Sequence, residues 1–241
     1  MERNYSILYE FLPFIFGVVV FLSGYAVARY SPDISNLYDS LKTPWGVITA
    51  MLIYDGEANG ESYAILAFLF ILENAAYRRY LRVGRYIVSV WASLVAPLIA
   101  NIVDLALYVA KEPSGYSFGQ SGIVYGFWGS IGAVAYIDLY LYVTFFFRKV
   151  RKRDIGNETR NRSGGKWRKY TTYVFTVFLF LFTFVYPIVD FPAFFSVAPG
   201  VDSLVHLISF LAGLIITIFF LYKCRDQMLW VSIVSQKRKP S

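Results

Sequence analysis

One cysteine and one histidine, Cys224 and His206, stand in the 241 residues. A lone cysteine excludes an internal disulfide and a cysteine-based metal centre, and a lone histidine excludes a histidine cluster around a metal. No metal and no cofactor is expected. Charge is scarce too: Asp, Glu, Lys and Arg make up 16% of the chain, against 57% hydrophobic and 20% aromatic residues. A soluble core of ordinary composition cannot absorb that much apolar surface, so the composition predicts an all-α, multi-pass membrane protein whose main partner is the lipid bilayer. The net charge of +7 does not mark a nucleic-acid partner, because the Lys and Arg cluster in short segments between apolar runs, as cytoplasmic loops do.

Apolar length predicts six membrane helices, over residues 11–28, 62–77, 86–109, 119–147, 170–189 and 204–222. The first run lacks a small-residue cleavage site and is read as a membrane helix, not a removable leader. After it comes a long connection whose apolar middle, Trp45 to Tyr54, is too short to span; it is expected in the interface, or dipping into the membrane against protein. Arg78, Arg79, Arg82 and Arg85 close helix two, with Gly84 breaking the run. Helix three carries Pro97, Asn101 and Asp104, each costly in lipid unless it faces a neighbouring helix or a wet cavity. Asp104 reads as a structural hydrogen-bonding group ahead of an acid-base one, since no acid-base partner is evident.

The linker 148–169 holds ten basic residues, which fixes it in the cytoplasm and removes the Asn157 and Asn161 glycosylation patterns from consideration. With basic segments after helices two, four and six, both termini fall in the cytoplasm, including the basic tail 223–241. The chain 1–241 then forms one membrane domain with its core over residues 44–222.

The segment from Gly115 to Gly132 draws the rest together. Gly122, Gly126 and Gly129 recur at helical spacing and make one small-residue face, a usual way for membrane helices to approach closely. Ser121 sits beside that face and Tyr125 one turn below it, at the helix end where free backbone N–H groups and a positive dipole can stabilise an oxyanion. Packing or capping alone is the simpler alternative. On helix six, His206, Ser209 and Gly213 share one face, and His206 lies at a depth similar to Ser121, roughly 5 to 8 Å of helix rise beyond the entry loop in each case. A serine beside a neutral imidazole, with helix-end N–H groups, is the minimum apparatus for acyl transfer to water.

With Gly119, Gln120, Ser121 and Gly122 followed by Tyr125 and Gly129, and with His206 followed by Gly213, the chain resembles the rhomboid intramembrane serine proteases. The resemblance covers about Pro44 to Gly213 and implies a six-helix bundle in the cell membrane that cuts transmembrane proteins near the outer surface. It implies Ser121 as nucleophile, His206 as general base and Tyr125 as packing partner of the imidazole. Gly119, Gln120 and Gly122 would support the oxyanion site, Gly126, Gly129, Ser209 and Gly213 would pack the helices, and residues 190–203 would form a mobile cap. Two positions depart from the family pattern. Its usual His and Asn on helix two fall at Tyr63 and Ala67 in an ungapped match, leaving backbone N–H groups and the Gln120 side chain as oxyanion donors; Ser209 replaces a usual glycine and demands wider packing. Two other readings stay open: a rhomboid-like protein that binds transmembrane helices without cutting, and a small transporter with Asp104 and His206 as a proton relay.

Overall fold

The computed structural model describes residues 7–31, 33, 35–38, 42–54, 56–75, 79–109, 119–152, 164–189 and 203–223. Among these there is no strand, and six helices are long: α1 (Leu12–Tyr30), α2 (Glu57–Asn74), α3 (Arg79–Asp104), α4 (Ser121–Lys152), α5 (Gly164–Val189) and α6 (Ser203–Lys223). The described segments Leu8–Tyr30, Arg82–Leu107, Ser121–Leu141 and Ser203–Lys223 are long and apolar enough to cross a membrane. Helix α2 falls short of that composition because it carries Glu57, Glu61 and Glu73, and the apolar stretch in α5, Tyr173–Val185, is shorter.

Several boundaries differ from the sequence reading, for one physical reason: charged residues at a helix end can be paired or can snorkel, so a change in polarity does not end the helix. Helix α2 begins at Glu57, and α3 begins at Arg79 and runs through Gly84 without a break. Part of the basic linker extends α4 to Lys152 and begins α5 at Gly164; residues 153–163 lie outside the described residues, as do 111–118, all of the expected cap 190–203 except Ser203, and the tail 224–241.

Helix α4 is the axis of the bundle. Its apolar window is 78% buried, against 22% for α1 and 39% for α6, and it packs on α3, α5 and α6. Small residues permit this closeness. A Cβ on Gly213 would collide with the Gly126 carbonyl oxygen, one on Gly129 with the Phe210 carbonyl oxygen, and one on Gly132 with the Thr183 side chain. In lipid, where no hydrophobic effect drives one helix onto another, such backbone proximity supplies the dispersion contact that holds helices together. A chain of buried hydroxyls adds to it: Thr217 of α6 donates to Ser130 of α4 at 2.7 Å, and Ser130 donates to Ser89 of α3 at 2.8 Å.

The segment after α1 packs against protein. It forms a short helix (Gly46–Thr49) and a 3-10 turn (Ala50–Leu52), tied down where Asn101 Nδ2 of α3 donates to the Val47 carbonyl at 3.0 Å and the Gly119 N–H donates to the Ala50 carbonyl at 2.9 Å. It therefore braces the end of the bundle where α4 begins. Trp45 stays exposed, its Nε1 donating to the Asn36 carbonyl at 2.8 Å.

Candidate active site

Ser121 is the first residue of α4, and the turn before it is built to put it there. Gly119 has φ 135°, a conformation that costs any residue with a Cβ, so this position calls for glycine. The Gln120 carbonyl accepts from the Ile123 N–H at 3.0 Å and opens the helix. By position the Ser121 and Gly122 N–H groups then lack intrahelical acceptors, and both sit at the positive end of the α4 dipole.

The Gln120 side chain is fully buried. Its Nε2 donates to the Val20 carbonyl of α1 at 2.9 Å and to the Leu52 carbonyl at 3.2 Å. Both amide hydrogens are engaged, so Gln120 holds the serine turn against α1 and the bracing segment, and the expectation that it serves as an oxyanion donor does not fit this geometry. Tyr63 and Ala67 are buried in the core of α2. The Tyr63 ring stacks on Phe127, centroids 4.5 Å apart, and Phe127 is about 9 Å down α4 from Ser121. Neither residue of α2 stands in for the family's usual donors.

Helix α6 brings His206 to the same end of α4. Its imidazole stacks on the Tyr125 ring, with centroids 4.2 Å apart and planes 24° from parallel, and Tyr125 lies one helical turn from Ser121. Tyr125 thus carries the imidazole on the α4 turn that follows the serine. The residue after the serine, Gly122, is enclosed by α3 and α6: a Cβ there would stand 2.9 Å from Pro97 Cβ, 3.3 Å from Ser209 Oγ and 3.5 Å from Val205 Cγ1. The missing Cβ of Gly122 makes room for the Ser209 hydroxyl. Its buried hydroxyl has no hydrogen-bond partner among the described residues.

Asp104 is buried at the end of α3. Just past the middle of α4, about 25 Å from Ser121 by helix rise, lies a polar cluster that the sequence reading missed. Arg85 makes two 2.7 Å hydrogen bonds to Asp138 and a third, at 3.1 Å, to Asn74 Oδ1. Glu73 accepts from Asn74 Nδ2 and from Thr176 Oγ1, each at 3.3 Å. All five side chains are buried. The signal available in sequence was Asp138, the only charged residue between Ser121 and Phe147; Arg85 was hidden in a basic cluster read entirely as topology. Another arginine of that cluster, Arg82, pairs with Glu10 at 2.9 Å.

Compared with protein-family models, curated proteins and solved structures, the chain matches none.

Proposed function

We propose that this protein is a rhomboid-type intramembrane serine protease of the cell membrane, which hydrolyses peptide bonds in or near the transmembrane segments of other proteins. The observation that carries the reading is the His206 imidazole stacked on Tyr125, one turn from a serine at the N-terminus of α4, the most buried of the four candidate spans. In this reading Ser121 Oγ attacks the scissile carbonyl carbon while His206 takes its proton. The oxyanion is held by backbone N–H groups at the start of α4, and His206 returns the proton to the leaving amine before water, activated in the same way, releases the acyl group. All six long helices span the membrane and both termini are cytoplasmic, which puts Ser121 toward the outer surface.

A second reading has its own support. Gln120 commits its amide hydrogens to the Val20 and Leu52 carbonyls, and Tyr63 and Ala67 stand where the family's usual donors would, which favours a relative that binds transmembrane helices without cutting them. The experiment that separates the two is labelling of the purified protein with a serine-directed fluorophosphonate, followed by peptide mapping. Adduct on Ser121, absent from Ser121→Ala and His206→Ala, supports the protease; an unlabelled wild-type protein supports the binding protein.

A further inference from the structure

The stack on His206 does not stop at Tyr125. The Tyr125 ring is stacked in turn on Trp128, with centroids 5.7 Å apart and planes 23° from parallel. Trp128 is stacked on Phe182 of α5 at 5.6 Å and 25°, and Phe182 on Phe178 at 6.0 Å and 16°. Five near-parallel rings therefore run from α6 across α4 to the outer edge of α5, where Phe178 is 48% exposed. The middle ring is held on a further side: Trp128 is buried, and Phe210 of α6 meets it edge to face at 6.2 Å and 88°. Interiors of this density transmit displacement instead of absorbing it.

We infer that Trp128 and Phe182 are positioning residues for the His206 imidazole, acting through Tyr125, so that the placement of α5 sets the orientation of the ring beside Ser121. The consequence for catalysis rests on the protease reading; the coupling itself does not. One face of the imidazole rests on the Tyr125 ring, so a change in the tilt of that ring is felt by the imidazole, and the Tyr125 ring is backed by Trp128 and, beyond it, by Phe182. A transmembrane segment seated along the exposed edge of α5 would press on Phe178 and so reach the imidazole without touching it.

The test uses the single histidine. Full-length protein labelled with 13C at the histidine Cε1 gives one imidazole signal, because His206 is the only histidine in the chain. Phe182→Leu removes a ring while keeping an apolar side chain, and it should shift or broaden that signal. Phe182→Trp, which restores a ring, should return it toward the wild-type position. Trp128→Phe supplies a second route to the same readout should Phe182→Leu fail to fold. Phe180→Leu is the control: that ring stacks on Tyr136 and packs on Phe184, outside the chain of rings, and its loss should leave the signal in place. Against a transmembrane substrate, Phe182→Leu should lower kcat by about three- to tenfold with KM little changed, the loss set by one aromatic pair. An imidazole signal that coincides with wild type in folded Phe182→Leu, or in folded Trp128→Phe, overturns the inference. A shifted signal in a protein that cleaves nothing upholds the coupling and removes the protease.

Discussion

The rings of His206 and Tyr125 lie face to face at 4.2 Å and 24° from parallel, which gives a polar side chain inside an apolar helix bundle an aromatic surface to rest on and fixes the plane in which its edge nitrogens lie. Stacked rings contribute about 0.5–1.5 kcal/mol beyond the area they bury. Tyr125→Phe keeps the stack and should retain near-wild-type activity, whereas Tyr125→Leu should lower kcat/KM by up to about tenfold. Steady-state cleavage of a transmembrane substrate by the two variants checks this; equal activity in both would show that the ring does not matter.

Close approach of α4 and α6 should be the most mutation-sensitive feature of the bundle. Gly213→Ala drives a methyl group into the Gly126 backbone, which cannot yield as a side chain would, so a loss of about 1–3 kcal/mol or more is expected. Gly60→Ala, where the nearest neighbour is the Phe21 ring at 3.8 Å, should be neutral or mildly stabilising, as Ala is the better helix former. Thermal unfolding in detergent compares the two directly.

The buried Arg85 and Asp138 pair makes a prediction about stability alone. Asp138→Ala leaves a guanidinium without its main partner and should destabilise the fold by about 3–5 kcal/mol. Replacing both partners, Arg85→Met with Asp138→Leu, should recover most of that loss, because the double change removes the desolvated charges together. Chemical denaturation of the single and double variants measures it, and a double variant no more stable than the single one would mean that the pair is needed for more than charge balance.

What could be read in sequence was what repeats along a helix or stands out by scarcity. The glycines of α4, the serine beside them and the only histidine are visible because small residues and a single imidazole are uncommon in apolar runs. The Gln120 side chain could not be placed in sequence, since its partners, the Val20 and Leu52 carbonyls, are backbone atoms 100 and 68 positions away and carry no residue signature. The ring stack was equally hidden: with 20 Tyr, 22 Phe and 5 Trp in the chain, no spacing singles out Trp128 and Phe182. Arg85 was misread because a basic residue near a helix end looks the same whether it faces the cytoplasm or an aspartate on another helix.

Orientation is tested by accessibility. Tags placed in the linker 148–169 and after Lys237 should be cytoplasmic, and tags within 111–117 external, since the basic segments set the topology. Cleavage of the linker by protease added outside intact cells would contradict that arrangement.

The most direct measurement is hydrolysis of a transmembrane substrate by purified wild type, Ser121→Ala, His206→Ala and the double variant. Ser121→Ala should abolish cleavage while leaving the thermal midpoint near wild type, because losing one half-buried hydroxyl opens little cavity. His206→Ala should be nearly as inactive, and the double variant scarcely worse than either, as expected of two groups acting as one unit. Normal cleavage by Ser121→Ala in a preparation free of other proteases would contradict the serine mechanism.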